Sequence, residues 1–410
     1  MRIAISGAGP GGLYTAALVK RLRPRSEIDV WEVNAPDQTF GFGVVFSEGA
    51  LGGIEAADPA LFAALDAECA HWSRIDVHHR GRTSRNGGYR FSAIGRRALL
   101  AMLRERCADL GVTVRHHTRA PEADELARTY DLVVAADGVN SATREARRAQ
   151  FGTETTRRGS RYLWLGTERP FTALTFAVAE TEHGTLHAHA YPYAPGLSTF
   201  IAEVDDRVWE AVGFTEGDTT VPDASGRSDT DRLADLFADV LDGHALRGNR
   251  SRWGRFVSVR NRHWSHERIA LLGDSAHTTH FSVGSGTRLA MEDGLALALA
   301  LDDHGSVPEA LAAYQAERRP EVEAMQRTAR TSQEWFEELE SYADLEPEAF
   351  NAHLITRSGR LTRDDLAAWS PERVERVRER FARADRSAGG STDHRPDGST
   401  DRSARGSAVR

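Results

Sequence analysis

Lysine is nearly missing from this chain: Lys20 is the only one in 410 residues, and arginine carries the rest of the positive charge. Cysteine is as scarce. Cys69 and Cys107 stand in neither a CxxC nor a metal-ligand spacing, which excludes a disulfide framework and a zinc site. No apolar run approaches the about 20 residues that span a bilayer, and Met1-Arg2 leads straight into a strand-like run with no signal peptide. Nor is there an excess of positive charge: 52 Lys+Arg against 60 Asp+Glu gives a formal net charge of −8, which argues against a nucleic-acid footprint. These absences predict a cytoplasmic protein without metal, nucleic-acid partner or membrane association. Monomer and homodimer remain equally open.

What is present begins at once. Arg2-Ile-Ala-Ile-Ser6 has the pattern of a buried parallel strand, followed by Gly7-Ala-Gly9-Pro-Gly11-Gly12 and a helical pattern to Leu22. A second strand pattern, Ile28-Asp-Val-Trp-Glu32, ends in an acid. This is a complete dinucleotide fingerprint. Gly7 permits the tight turn, Gly9 the approach of a pyrophosphate, Gly12 the close packing of helix on strand, and Glu32 a hydrogen bond to ribose. The fingerprint does not separate FAD from NAD.

A second strand–loop–helix signal is Arg268 to Asp293. Aliphatic residues end in Gly273-Asp274-Ser-Ala-His277, then come Gly284-Ser-Gly286-Thr287 and a helical Ala/Leu pattern. A helix start near Gly286 offers free N–H groups and a positive dipole end. A third strand pattern, Asp131 to Ala136, runs into Asp137-Gly138-Val-Asn-Ser141-Ala-Thr-Arg144. Strand ends at Ser6, Ala136 and Leu272 are thus predicted to line one crevice. Thr39 to Leu51 reads as a glycine-rich apolar loop containing Phe42. Ile94 opens a helix to about Leu110 with Arg96 and Arg97 in its first turn, where one of them could meet a phosphate or both could simply be solvated. From Tyr162 to Glu203 the alternation changes to antiparallel strands: Tyr162–Thr167, Leu174–Ala179, Gly184–Tyr193 and Leu197–Glu203. A helix is predicted over Asp229–Leu241 and a strand over Phe256–Val259. Beyond Asp293 the chain reads as helical to about Ala384, and then as a disordered Ser/Gly/Asp/Arg tail.

Three separated motifs, Gly7-x-Gly9-x-x-Gly12 with Glu32, Asp137-Gly138-x-x-Ser141-x-x-Arg144, and Gly273-Asp274-Ser-Ala-His277, resemble in order and spacing the single-component FAD-dependent aromatic hydroxylases, the class of para-hydroxybenzoate hydroxylase. Phe281 stands where that family usually has proline, and the loop at Phe42 lacks its usual arginine. With Gly41 to Ser47, His187-Ala-His189-Ala-Tyr191-Pro-Tyr193 and Trp335 to Ser358, these features are similar to a subgroup. That subgroup holds salicylyl-CoA 5-hydroxylase, the flavin part of anthraniloyl-CoA monooxygenase and the violacein-pathway tryptophan hydroxylase.

The resemblance implies an α/β fold: a Rossmann-like FAD-binding domain from 1–155 and 256–300, an inserted antiparallel β-sheet substrate domain from 156–255, a C-terminal helical region from 301–384, and a tail from 385–410. It implies an NAD(P)H-dependent flavoprotein monooxygenase that hydroxylates an aromatic ring with O2 through a flavin C4a-hydroperoxide, on an aryl-CoA such as salicylyl-CoA. Glu32 would hold the adenosine ribose, Arg96 the pyrophosphate, and Asp274 the ribityl side. Asp137-Gly138 would serve FAD and the transient nicotinamide, NADH or NADPH. Val45, Gly284, Gly286 and Thr287 complete the cofactor set.

His280, His189 and Tyr191 are the candidates for activating the ring. Phe42, His187, Tyr193, Phe281 and Arg357 are the candidate substrate contacts, although an ordinary core or salt-bridging role competes at each of these positions. Arg357 and Arg360 are the cations considered for CoA phosphates. Three alternatives stay open: a free aromatic acid or tryptophan-derived substrate, a reductase or oxidase lacking oxygen transfer, and a non-catalytic flavin-binding protein. A halogenase fits poorly, because Lys20 lies in the first helix and not in a tunnel.

Overall fold

A computed structural model describes residues 1–39, 41–47, 51–359 and 370–389. The first sheet has six strands in the order Ser265–His266, Ile269–Leu271, Leu132–Ala135, Arg2–Ser6, Glu27–Trp31, Thr113–Arg115. All neighbours are parallel except the antiparallel pair at the Ser265–His266 edge. Leu132–Ala135 and Ile269–Leu271 are buried along their whole length, as strands covered on both faces by helices must be. The helices Pro10–Leu22 and Gly286–Asp303 pack on each other over this sheet. The three central strands therefore end side by side, at Ser6, Ala135 and Leu271.

The second sheet has nine strands and is wider than the predicted 156–255 segment. Gly43–Ser47, Ala70–His79 and Arg82–Gly95 belong to it, so the glycine-rich apolar segment is partly a strand, not a loop. The sheet is also not purely antiparallel, because Ala70–His79 runs parallel to Leu174–Thr181. Three of the predicted strands are found slightly longer, as Leu174–Thr181, Gly184–Ala194 and Leu197–Val204, whereas Tyr162–Thr167 is only the end of the 15-residue strand Thr153–Thr167. The predicted 229–241 helix breaks at Phe237 into Asp229–Leu236 and Ala238–Leu241. Arg96–Asp109 starts two residues later than predicted, because Ile94 and Gly95 finish a strand.

The C-terminal region is helical at Val307–Glu337, Glu340–Ala343, Pro347–Thr356 and Pro371–Gly389. The last of these overruns the predicted start of the tail at 385: Asp385 still takes an ion pair from Arg21 at 2.9 Å. The rest of the predicted tail, 390–410, and Arg360 lie outside the described residues.

A buried ionic knot joins these parts. Asp293, wholly buried, accepts from Arg318 Nε at 2.9 Å, contacts His277 Nε2 at 2.6 Å and accepts from the backbone N–H of Gly273 at 3.2 Å. Arg318, equally buried, also reaches Glu292 at 3.0 Å and pairs with Glu321. Burial alone would raise the Asp293 carboxyl; His277 and Arg318 outweigh it and hold it below the usual carboxylate range. Arg318→Met would strand two buried carboxylates. A loss of about 3–5 kcal/mol is expected, read as a lower urea midpoint at an unchanged slope.

Candidate active site

The glycines after the first strand form a turn in which little else fits. Gly7 has φ +104°, and a Cβ there would lie 2.2 Å from the Ala136 carbonyl oxygen. A Cβ on Gly12 would lie 2.1 Å from the Gly7 carbonyl oxygen. Gly9 is different: an added Cβ would meet nothing within 4 Å, because its backbone faces an open cavity. Glu32 stands beside this turn without lining the cavity. Its carboxylate accepts from the N–H of Ala8 at 3.0 Å and from the backbone and side chain of Asn34 at 2.8 and 2.7 Å.

The other two strand ends complete the cradle. Gly138, at φ +79°, lines the cavity. Asp137 turns toward the helix Ala142–Ala146 and accepts weakly from the Thr143 N–H at 3.5 Å; burial raises its carboxyl, opposed by bonds from Ser141 and neighbouring backbone. Buried Arg144 links this loop to the next one, donating to the carbonyls of Val139 at 2.6 Å and Ser275 at 3.3 Å. Asp274 exposes its side chain to the cavity. The surrounding walls raise its carboxyl, while His277 and Arg96 oppose the shift. Arg96, half-buried, comes from the start of its helix with Nε donating to Thr39 Oγ1 at 3.1 Å; burial lowers its pKa and Asp274 works against that.

Gly284 has φ +61° and lies so near Val45 that a Cβ would be 2.8 Å from its methyl. Beyond it the helix Gly286–Asp303 starts without a side-chain cap, and Gly286 and Thr287 line the cavity. Free N–H groups at the start of a long helix suit a negative charge.

The cavity, about 890 Å³, runs on from this cradle to an aromatic wall. The Phe42 ring lies against Gly166, where a Cβ would be 2.5 Å from it. Phe281 packs among Tyr162 (4.9 Å between ring centres), Trp164 (5.8 Å) and His189 (5.8 Å). Along Gly184–Ala194, alternation puts His187, His189, Tyr191 and Tyr193 on one face, but only His189 and Tyr191 reach the cavity. Tyr193 instead packs against Gly43, and Tyr191 donates its hydroxyl to the Gly43 carbonyl at 3.0 Å.

His187 and His280 stand behind the wall. Both meet the buried carboxylate of Glu203, at 3.2 and 3.6 Å, while His187 also stacks on Phe336 at 4.2 Å. His280 lines a separate polar pocket of about 510 Å³, not the main cavity. Burial would raise Glu203; His280 and His187 outweigh it and keep the carboxyl low.

Arg357 is another cation of the cavity wall. Contrary to a surface salt-bridging role, it lies between Phe176 and Phe336 at 4.8 and 4.9 Å. It donates to Ser332 Oγ at 3.0 Å and to the carbonyls of Leu354 at 2.7 Å and Ser282 at 3.0 Å, with no carboxylate partner among the described residues. Glu203 is what residue patterns missed most, because an acid inside a strand reads as solvated; Arg357, named from the sequence as a candidate substrate contact, lines the cavity.

The sequence model of the FAD binding domain family matches residues 66–329. The chain is 44% identical over 381 residues to salicyloyl-CoA 5-hydroxylase of a Streptomyces species, covering 92% of this chain and 73% of that enzyme. It is 41% identical over 367 residues to 3-hydroxy-4-methyl-anthranilyl-[aryl-carrier protein] 5-monooxygenase of Streptosporangium sibiricum, covering 90% of this chain and 97% of that one. Among solved structures, 2-methyl-3-hydroxypyridine-5-carboxylic acid oxygenase superposes with a TM-score of 0.65 at 18% identity, over 87% of this chain and 95% of that one, a likeness of fold. A family match over more than half of the chain, joined to relatives aligned over about nine-tenths of it, means that this chain belongs to the FAD binding domain family, as an FAD-dependent aromatic monooxygenase.

Proposed function

We propose that this enzyme hydroxylates an electron-rich aromatic ring carried as an acyl thioester, of the salicylyl-CoA kind, with NADH or NADPH as reductant and O2 as oxidant. The observation that carries this reading is the single cavity that joins the glycine cradle to an aromatic wall holding a half-buried arginine that has no carboxylate partner among the described residues. Both curated relatives described above are named for aryl groups held as thioesters.

FAD fits the cradle. Gly9 presents open backbone, the helix Gly286–Asp303 presents uncapped N–H groups, and Asp274 and Arg96 face the same space. When bound, FAD supplies the redox chemistry, accepting electrons from the nicotinamide and delivering one oxygen atom of O2. The chain's own groups do the rest. The turn at Gly7, Gly9 and Gly12 and the guanidinium of Arg96 would take the pyrophosphate, and Glu32, beside that turn, would take the adenosine ribose. Asp274 would hold the ribityl hydroxyls, and the backbone from Gly284 to Thr287, beside Val45, would offer its free N–H groups to the cofactor ring. Asp137 acts through its helix-start bonds, holding Gly138 against the cofactor.

Phe42, Phe281 and the neighbouring rings exclude water from the reacting edge. Arg357 binds the acyl carbonyl oxygen through the guanidinium N–H groups left over from its internal bonds. His189 offers a ring nitrogen to the substituent that activates the substrate. Burial, helped by His187, pushes its pKa down to about 3, so it acts as a neutral hydrogen-bond partner and is a weak general base. His280, pushed down to about 4 by burial against the pull of Glu203, acts from behind as a support, as His187 does. Burial raises the Tyr191 hydroxyl, which is spent on Gly43. Tyr191 and Tyr193 thus shape the wall and do not take protons.

The deciding assay is aerobic NADH or NADPH oxidation with salicylyl-CoA, its free acid and tryptophan, followed by product mass. Stimulated turnover with a gain of one oxygen on the thioester alone is the expected result, and a response to the free acid alone rejects the thioester. Burial pushes Arg357 down only to about 10, so it stays charged at neutral pH. Arg357→Gln removes that charge, and a fall of about 10- to 100-fold in kcat/KM for the aryl substrate is expected from steady-state kinetics.

The histidines also make stability pH-dependent. Below pH about 6.5 the unfolded chain protonates them, whereas the folded one resists to about 4 at His280 and about 3 at His189, so stability falls as pH drops through that window. Melting temperatures of a His189→Asn/His280→Asn variant should accordingly fall less between pH 7 and pH 5 than those of the parent.

A further inference from the structure

Two arginines on the rim of the cavity have no part in the chemistry above. The segment between the strands Leu246–Arg247 and Gly254–Asn261 is tied inward at alternate positions. Asn249 Nδ2 donates to the carbonyls of Thr39 at 3.0 Å and Gly41 at 3.2 Å, and Ser251 Oγ donates to the carbonyl of Trp164. Arg250 and Arg252 alternate with them, exposed and lining the cavity mouth. Arg250 holds φ +54°, a left-handed backbone that a side chain disfavours and that surrounding structure must impose.

The pair differs from the other arginines of this cavity. Arg96 is bonded to Thr39, Arg255 to Gly159 and Asp206, and Arg357 to Ser282, Ser332 and Leu354. Arg250 and Arg252 make no hydrogen bond or salt bridge among the described residues, and Asp218 on the neighbouring polar loop is the acid that feels the charge of Arg252. Two unspent guanidinium forks on a braced turn are a donor set for phosphate oxygens. Both a nicotinamide dinucleotide and a CoA thioester carry a diphosphate, and each must bring its reactive end to this cavity.

We propose that Arg250 and Arg252 form an anion-binding entrance that takes the diphosphate of an incoming nucleotide-bearing reactant, the CoA moiety or the nicotinamide cofactor. The CoA source rests on the thioester reading above; the nicotinamide source does not. The site lies outside the cofactor cradle, so its loss leaves the bound flavin in place.

The test uses the FAD-loaded full chain, the Arg250→Ala/Arg252→Ala variant and the Arg250→Lys/Arg252→Lys variant. The Kd for free CoA is read by calorimetry, and the Kd for NADH from the concentration dependence of anaerobic flavin reduction. At least one Kd should weaken tenfold or more in the alanine variant, with most of it restored by lysine and a steep salt dependence in the parent. The reactant affected identifies the source. The phosphate-free reductant 1-benzyl-1,4-dihydronicotinamide should reduce the flavin of parent and variant alike. The proposal is overturned if both Kd values stay within twofold of the parent, or if the phosphate-free reductant is slowed equally. Arginine-dependent CoA binding without oxygenation of salicylyl-CoA would keep this entrance and reject the substrate. Oxygenation with unchanged affinities would do the reverse.

Discussion

A carboxylate buried without solvent must be paired, because the cost of taking its charge out of water is recovered only through well-placed partners. Asp293 meets that condition with three groups from two places: the His277 ring and Gly273 N–H from the site loop, and Arg318 from the long helix Val307–Glu337. The knot therefore holds a loop, not merely a core. With Gly273 and His277 both tied to one carboxylate, the intervening Asp274 is displayed to the cavity. The same anchoring sets where the helix Gly286–Asp303 begins, since Asp293 is part of that helix. Histidine in the Gly-Asp-Ser-Ala-His motif is structural by this account. Trp264 stacks on it at 4.9 Å and closes the far side.

The second constraint is the way the chain divides itself between two sheets. It leaves the parallel sheet after Glu27–Trp31, builds Gly43–Ser47, Ala70–His79 and Arg82–Gly95 into the other, and returns through the helix Arg96–Asp109. Phe42 and Arg96 thus sit where the two sheets meet, and the N–H of Arg96 donates to the Phe42 carbonyl at 2.7 Å. One cavity is walled by both sheets. The cradle side offers backbone and charge, the far side rings, and the reaction edge falls between them. Behind the rings, Glu203 meets two histidines in a space with little access to water. Burial keeps His189 and His280 neutral there, so the positive charge of the cavity lining comes from its arginines.

How far the architecture can be read from residues follows from the range of the forces involved. The turn at Gly7 to Gly12, the strands ending at Ser6, Ala135 and Leu271, and the alternation over Gly184–Ala194 depend on neighbours a few positions away. Such signals survive in a linear pattern. Ala70–His79 and Arg82–Gly95 escaped because one face is rich in His, Arg and Asn, which reads as a surface until the rest of the sheet is known. The split of the 229–241 helix and the overrun of the last helix to Gly389 were likewise decided by packing.

By itself, then, the sequence determined the class of the fold, the order of the three strand ends that meet at the cavity, and a dinucleotide as the kind of cofactor, because each is written in short-range spacing and in glycines that admit no side chain. Tertiary structure decided which polar groups are spent inside and which are left to act. Asp293 and Arg318, 25 positions apart, cancel one another. His187 and His280 turn to Glu203, whereas His189, two residues along the same strand, faces the cavity. Arg357 is enclosed by Phe176 and Phe336, and Arg250 and Arg252 are left open. The reason is physical: the function of a charge depends on its partners and on its access to water, and both are settled by residues distant in the chain.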